Sequence, residues 1–180
     1  MIEEWIEQCR KGQTRAYARV VQAMQPKILG FLYRMTQNRE LAEDLGQEAF
    51  FRAFRRLENY DSEKSAFSTW LFTIARNLCL DELRKRRPVQ IALEEADFQE
   101  SFREENPHRT AGDCELEQKI MRAVDSLDEE FREIFVLHEY EDLSLKEIAV
   151  IIGCPLGTIK SRLHRARLHL QKKLAPVLCL

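Results

Sequence analysis

Residues 144–174 read SLKEIAVIIGCPLGTIKSRLHRARLHLQKKL, and they constrain the fold more than any other stretch of the chain. Ser144 followed by Glu147 has the spacing of a capping box, which starts a helix by satisfying two backbone donors reciprocally. Leu145, Ile148, Ala149 and Ile152 recur at helical spacing and make one apolar face. Gly153 falls where a left-handed C-cap is wanted. Pro155 suits the first turn of a second helix, because the N–H it lacks would have no partner there. In that second helix Ile159, Leu163, Ala166, Leu170 and Leu174 form an apolar stripe. Gly157, Ser161, His164 and Arg165 lie opposite, Lys160, Arg162 and Arg167 flank them, and no acidic residue occurs over 155–174. A short helix, a glycine-bearing corner and a second helix with a basic outer face describe a helix-turn-helix. Its second helix would enter a major groove, with Arg165 and Ser161 reaching base edges and Lys160, Arg162 and Arg167 on phosphates.

The remaining composition fits that reading. A 180-residue chain with 44% hydrophobic and 32% charged residues holds one domain or two small ones with real cores. The net charge of -2 does not argue against nucleic acid, because binding responds to the local basic patch. Five scattered cysteines, Cys9, Cys79, Cys114, Cys154 and Cys179, form no CxxC pair, so reduced thiols in a cytoplasmic protein are expected. His164 and His169 face different sides of their helix, and no metal, cofactor, signal peptide or membrane insertion is expected.

Elsewhere the pattern is helical, with no strand alternation. A short helix is expected over 2–10, and a longer one from Thr14 through Tyr17, Val20, Met24, Ile28, Phe31 and Met35, kinked or broken at Pro26. Asn38 can cap the next helix, which runs to about Leu57. There Glu40, Glu43, Asp44, Gln47 and Glu48 come first and Arg52, Arg55 and Arg56 last. That order matches the helix dipole. It also places Asp44, Gln47, Glu48, Phe51 and Arg52 on one mixed surface, which reads either as simple helix stabilisation or as a protein-docking face. A helix over 67–87, stopped by Pro88, carries Phe67, Trp70, Arg76, Asn77 and Arg84. Aromatics interleaved with bases suit single-stranded nucleic acid, whose bases stack on rings. Core aromatics with a solvated basic helix end are the alternative. Residues 89–114 are acidic and sparse in apolar matter, and read as a flexible linker. Leu116, Ile120, Val124 and Leu127 then begin a helix, and Asp128 can cap the one that follows.

With these motifs in order, the chain resembles the sigma-70 family of RNA polymerase sigma factors, in its small extracytoplasmic-function (ECF) group. AEDLGQEAFFRAFRRL (42–57) resembles the polymerase-docking part of region 2. SAFSTWLFTIARNLCLDELRKRR (65–87) resembles the segment that melts and reads the promoter −10 element. SLDEEFREIFVLHEYEDLSLKEIAVIIGCPLGTIKSRLHRAR (126–167) resembles region 4, which reads the −35 element. The resemblance implies an all-α protein: region 2 over 1–88, a flexible linker over 89–114, and region 4 over 115–180. It implies a non-enzyme that binds core RNA polymerase and directs promoter recognition without a cofactor. Asp44, Gln47, Glu48, Phe51 and Arg52 would dock on polymerase. Phe67, Trp70, Arg76, Asn77 and Arg84 would serve the −10 element, and Thr158, Lys160, Ser161, Arg162, His164, Arg165 and Arg167 the −35 element. An anti-sigma factor is the implied regulator, and one anchored at a membrane would hold the protein near it.

Departures from the family pattern are Gly46, where a larger residue is usual, Asp128, where proline is common, and the loop Tyr60 to Ala66, which carries Glu63 and Lys64. A stand-alone helix-turn-helix regulator is the alternative reading, opposed by the docking surface and the aromatic–basic helix. A nuclease would need acids or histidines clustered beside a basic cleft, whereas these acids are spread along a helix or crowd the linker.

Overall fold

Apolar residues spaced three and four apart bury one side of each helix, and that rule assembles the chain. In the computed structural model, which describes residues 1–90 and 111–178, the order is α1 (Ile2–Arg10), α2 (Ala16–Thr36), α3 (Arg39–Arg55), a 3-10 turn (Leu57–Asn59), α4 (Phe67–Gln90), α5 (Ala111–Asp125), α6 (Glu129–Glu139), α7 (Leu145–Ile152) and α8 (Leu156–Leu178). The architecture is all-α. α1 to α4 pack on one another, with α2 touching the other three, and α8 packs against α5, α6 and α7.

Val20, Met24, Ile28, Phe31, Leu32 and Met35 of α2 are buried and form the spine of the first group. Phe31 meets Phe72 of α4 edge-on at 5.8 Å between ring centres. Pro26 does not break this helix, contrary to expectation. It lies on the exposed side between buried Met24 and Ile28, so the carbonyl that loses its N–H partner belongs to exposed Gln22 and can be met by water. Pro88 likewise fails to stop α4, which continues to Gln90. α5 begins at Ala111, several residues before the expected start, while positions 91–110 of the expected linker lie outside the described residues.

Local signals set the corners. The Asn38 side chain accepts from the Leu41 N–H at 2.9 Å and caps α3, directly after Gln37 takes a left-handed conformation at φ 54°. Ser144 and Glu147 form the full capping box of α7, and Gly153 ends it at φ 74°. Asp128 stands at the N-cap of α6 without a side-chain cap bond. At Gly46 α3 passes close to α2: a methyl group there would lie 2.6 Å from Leu29 Cδ2, so the Leu29 side chain would have to move.

The two groups of helices are not separate beads. α6 lies against α2, α7 lies against α4, and the buried apolar residues form one continuous cluster. Arg76 of α4 pairs with Glu133 of α6, and Arg34 of α2 with Glu141 just beyond α6.

Glu141 is 4% exposed, with Arg34 3.8 Å away. Burial raises its carboxyl from 4.5 to about 7; Arg34 and Lys27 pull it down and Asp142 pushes it up. The folded value lies above the unfolded one, so the stability linked to protonation is full below about 4.5 and is lost as pH rises through about 7. Thermal melts between about pH 5 and pH 8 should therefore show Glu141→Gln losing part of the wild-type decline in stability, on the order of 3 kcal/mol. The variant should match or exceed wild type at the alkaline end. Parallel pH profiles for the two proteins would assign the decline to other groups.

Candidate polymerase and promoter interfaces

α8 presents two different sides because its apolar stripe is continuous. Ile159, Leu163, Ala166 and Leu170 are buried, and Leu174 is half-buried against the same core. Lys160, Ser161, His164, Arg165 and Arg167 are exposed, and Thr158 and Arg162 are half-buried. Two cations of this set are engaged within the chain. Arg162 Nη2 lies 2.8 Å from Glu130, and Arg167 contacts Glu139 through Nε at 3.1 Å and Nη2 at 2.5 Å. Lys160 and Arg165 have no acidic partner among the described residues. Ser161 Oγ donates to the Thr158 carbonyl at 2.9 Å, which leaves its lone pairs outward. The outer face is thus a patch of two free cations, an imidazole and a hydroxyl, edged by two paired arginines.

On α4, the expected residues separate. Phe67 is fully buried, Trp70 half-buried, and Asn77 and Arg84 exposed. Phe67, Trp70 and Tyr60 form an aromatic cluster with ring centres 5.4 to 5.7 Å apart. Arg10 lies over the Tyr60 ring and donates to the Leu57 and Tyr60 carbonyls, tying α1 to this corner. Burial raises the Tyr60 phenol, whose hydroxyl donates to the Ser65 carbonyl at 3.1 Å. Lys64 of the adjoining loop is held 3.1 Å from Asp61, and this bond lowers the Asp61 carboxyl. Arg76 does not share the Asn77 surface: its guanidinium is turned to Glu133, with Nε 2.9 Å and Nη2 3.1 Å from the two carboxylate oxygens. Arg84 is exposed beside Asp81 at 3.8 Å. Tyr60, Arg10 and Glu133 are missed by sequence reasoning. A lone tyrosine in a polar loop was the available signal for Tyr60, and no local signal existed for Glu133.

The outer face of α3 brings its five expected residues together. Asp44 and Gln47 are exposed, and Glu48 pairs with Arg52 at 2.6 Å. Phe51 is 55% exposed, with the Arg55 guanidinium 5.6 Å from its ring centre. An open aromatic ringed by acids and bases is a protein-contact composition, since a solvated face gains nothing from Phe. Among the described residues, no group of three or more acids, histidines or cysteines is arranged to hold a metal. Burial lifts the Cys79 thiol to about 12, which keeps it protonated and unreactive.

Residues 20–89 match the family described as Sigma-70 region 2, and residues 117–170 match Sigma-70, region 4. The ECF RNA polymerase sigma factor SigW of Bacillus subtilis is 36% identical over 97% of both chains. The chain belongs to the ECF sigma factors. It therefore binds RNA polymerase and directs it to promoters, and it is not an enzyme. The fold of this sigma factor is similar to that of RpoE from Bartonella quintana, solved with the anti-sigma factor NepR, at TM-score 0.70 and 31% identity over 88% of this chain and 96% of that one. It is also similar to the fold of CnrH, solved with the cytosolic domain of CnrY, at TM-score 0.72 and 23% identity over 96% of both chains.

These complexes correct the expectation of a plainly cytoplasmic protein. RpoE, 31% identical to this chain, was solved in complex with an anti-sigma factor, so cysteine usage alone does not fix where a sigma factor of this kind is held. For the sigma factor itself, no helix among the described residues is long and apolar enough to cross a membrane.

Proposed function

We propose that three exposed faces divide the work of this sigma factor. The outer side of α3, with Asp44, Gln47, Glu48, Phe51 and Arg52, docks on core polymerase. The exposed side of α4, with Asn77, Arg84 and the accessible edge of Trp70, takes the −10 element, and Phe67 backs Trp70 from the core. The outer side of α8 takes the −35 element. Lys160, Ser161, His164 and Arg165 are its reading group, and Thr158, Arg162 and Arg167 are its phosphate-facing rim. The carrying observation is the one-sided α8: Ile159, Leu163, Ala166 and Leu170 are buried and apolar, while Lys160, Ser161, His164 and Arg165 face outward with groups that can hydrogen-bond to bases or phosphates. Run-off transcription with core polymerase tests the whole reading.

An anti-sigma factor is the proposed regulator, by analogy with RpoE and NepR. It would cover the α3 face, and a membrane-anchored one would keep the chain beside the membrane until release.

Asp44→Arg with Glu48→Arg should abolish co-purification with core polymerase while leaving helix content intact, because Asp44 faces solvent and the partner Glu48 takes, Arg52, is itself on the surface. Undiminished co-purification would move docking to another face. Arg165→Ala should relax preference at a single −35 position by about 1–3 kcal/mol, as expected for loss of a bidentate base contact. A preference unchanged across all positions would mean that another residue of α8 does the reading. Glu139→Gln should release Arg167, and duplex binding should strengthen for all sequences alike, with a salt dependence steeper by about one phosphate contact. An unaltered salt slope would place Arg167 off the DNA.

A further inference from the structure

Arg76 and Asn77 are neighbours on α4, yet Asn77 faces water and Arg76 faces region 4. Arg76 is 16% exposed and Glu133 only 4%, and they meet in a two-pronged geometry. This pair is a poor source of net attraction. Burial lifts the Glu133 carboxyl above its usual range, and the pull of Arg76 does not reverse that. What the pair supplies is register, because a planar fork accepts a carboxylate in one orientation and either partner left alone is an uncompensated buried charge.

Further polar contacts cross the same boundary. Arg34 of α2 lies 4.1 Å over the Tyr140 ring and 3.8 Å from Glu141. Gly30 leaves the space for it: a methyl group there would meet Arg34 Nη1 at 2.8 Å and Glu141 Oε1 at 3.4 Å. Gln37 donates a side-chain hydrogen bond to Asp125 of α5.

We propose that Glu133 stands in for a DNA phosphate: it occupies the Arg76 fork, closes region 4 onto region 2, and must be displaced before α4 can take the promoter. Guanidinium binds carboxylate and phosphate through the same pair of parallel N–H donors, so Glu133 and the DNA backbone compete for one site. The closed chain is thereby a self-inhibited form, and the Arg34–Glu141–Tyr140 cluster keeps α6 aligned over α2 while it lasts. The competition rests on the reading of α4 as the −10 face. The closure itself does not.

The test uses the full chain. Small-angle scattering of wild type should give a radius of gyration near the value of about 16 Å for a compact chain of this length. Arg76→Glu, which sets two carboxylates against each other, should raise it by several ångström with helix content unchanged. Adding Glu133→Lys to that variant should restore the compact value. A single variant as compact as wild type, a double variant as expanded as the single, or loss of helix in the single variant would each overturn the latch. The competition is read separately, with Glu133→Gln. Its apparent affinity for a promoter fork bound with core polymerase should rise about threefold or more, as the open fraction grows. If scattering shows opening and affinity does not rise, the phosphate-mimic role is wrong, while the −10 reading of α4, which rests on Asn77, Arg84 and Trp70, is tested apart from it by run-off transcription.

Discussion

The carboxylates on and just beyond α6 decide where four of this chain's arginines point. Glu130 and Glu139 take Arg162 and Arg167 of α8, within region 4. Glu133 and Glu141 take Arg76 and Arg34, across the boundary to region 2. The first two pairs sit partly in water, where a pair contributes about 0–1 kcal/mol. The second two are buried on the acid side, where losing a partner strands a charge. The same helix therefore trims the basic edge of the outer face of α8 lightly and holds the two halves of the chain in a specific register.

Energy and recognition come from different residues. Cohesion comes from apolar burial, with Phe31, Phe67 and Phe72 fully enclosed and a cluster running through both groups of helices. The proposed recognition groups are what that burial leaves outside: Phe51 and its charged neighbours on α3, Asn77 on α4, and Lys160, His164 and Arg165 on α8. The aromatic corner of Tyr60, Phe67 and Trp70 joins the two roles. Phe67 anchors it in the core, and Trp70 remains half accessible. A corner built this way can offer a ring edge to an unstacked base without reorganising the helix beneath it.

Much of this was legible in the amino-acid sequence, because the terms involved act within a few residues. The Asn38 cap, the Ser144–Glu147 capping box, the left-handed Gly153 and the apolar stripe of α8 each depend on neighbours no more than about one or two helical turns away. The order of these motifs also carried the family. Local rules misjudged Pro26 and Pro88, since a proline's effect depends on whether its freed carbonyl can reach water, and that is a property of the packed helix.

Tertiary structure alone decided the rest. Arg76 reads locally as one more cation on a basic helix, and only the approach of Glu133, 57 positions away, turns it from solvent to the boundary. Gly46 reads as a weakness in α3 until Leu29 is placed 2.6 Å from where its methyl group would be. The sequence by itself determined which segments are helical, which faces are apolar and which family the chain joins, because periodicity and capping are written in adjacent residues. Which charged groups are free and which are engaged depended on residues distant in sequence, since a buried charge takes whatever partner folding brings within about 3 Å.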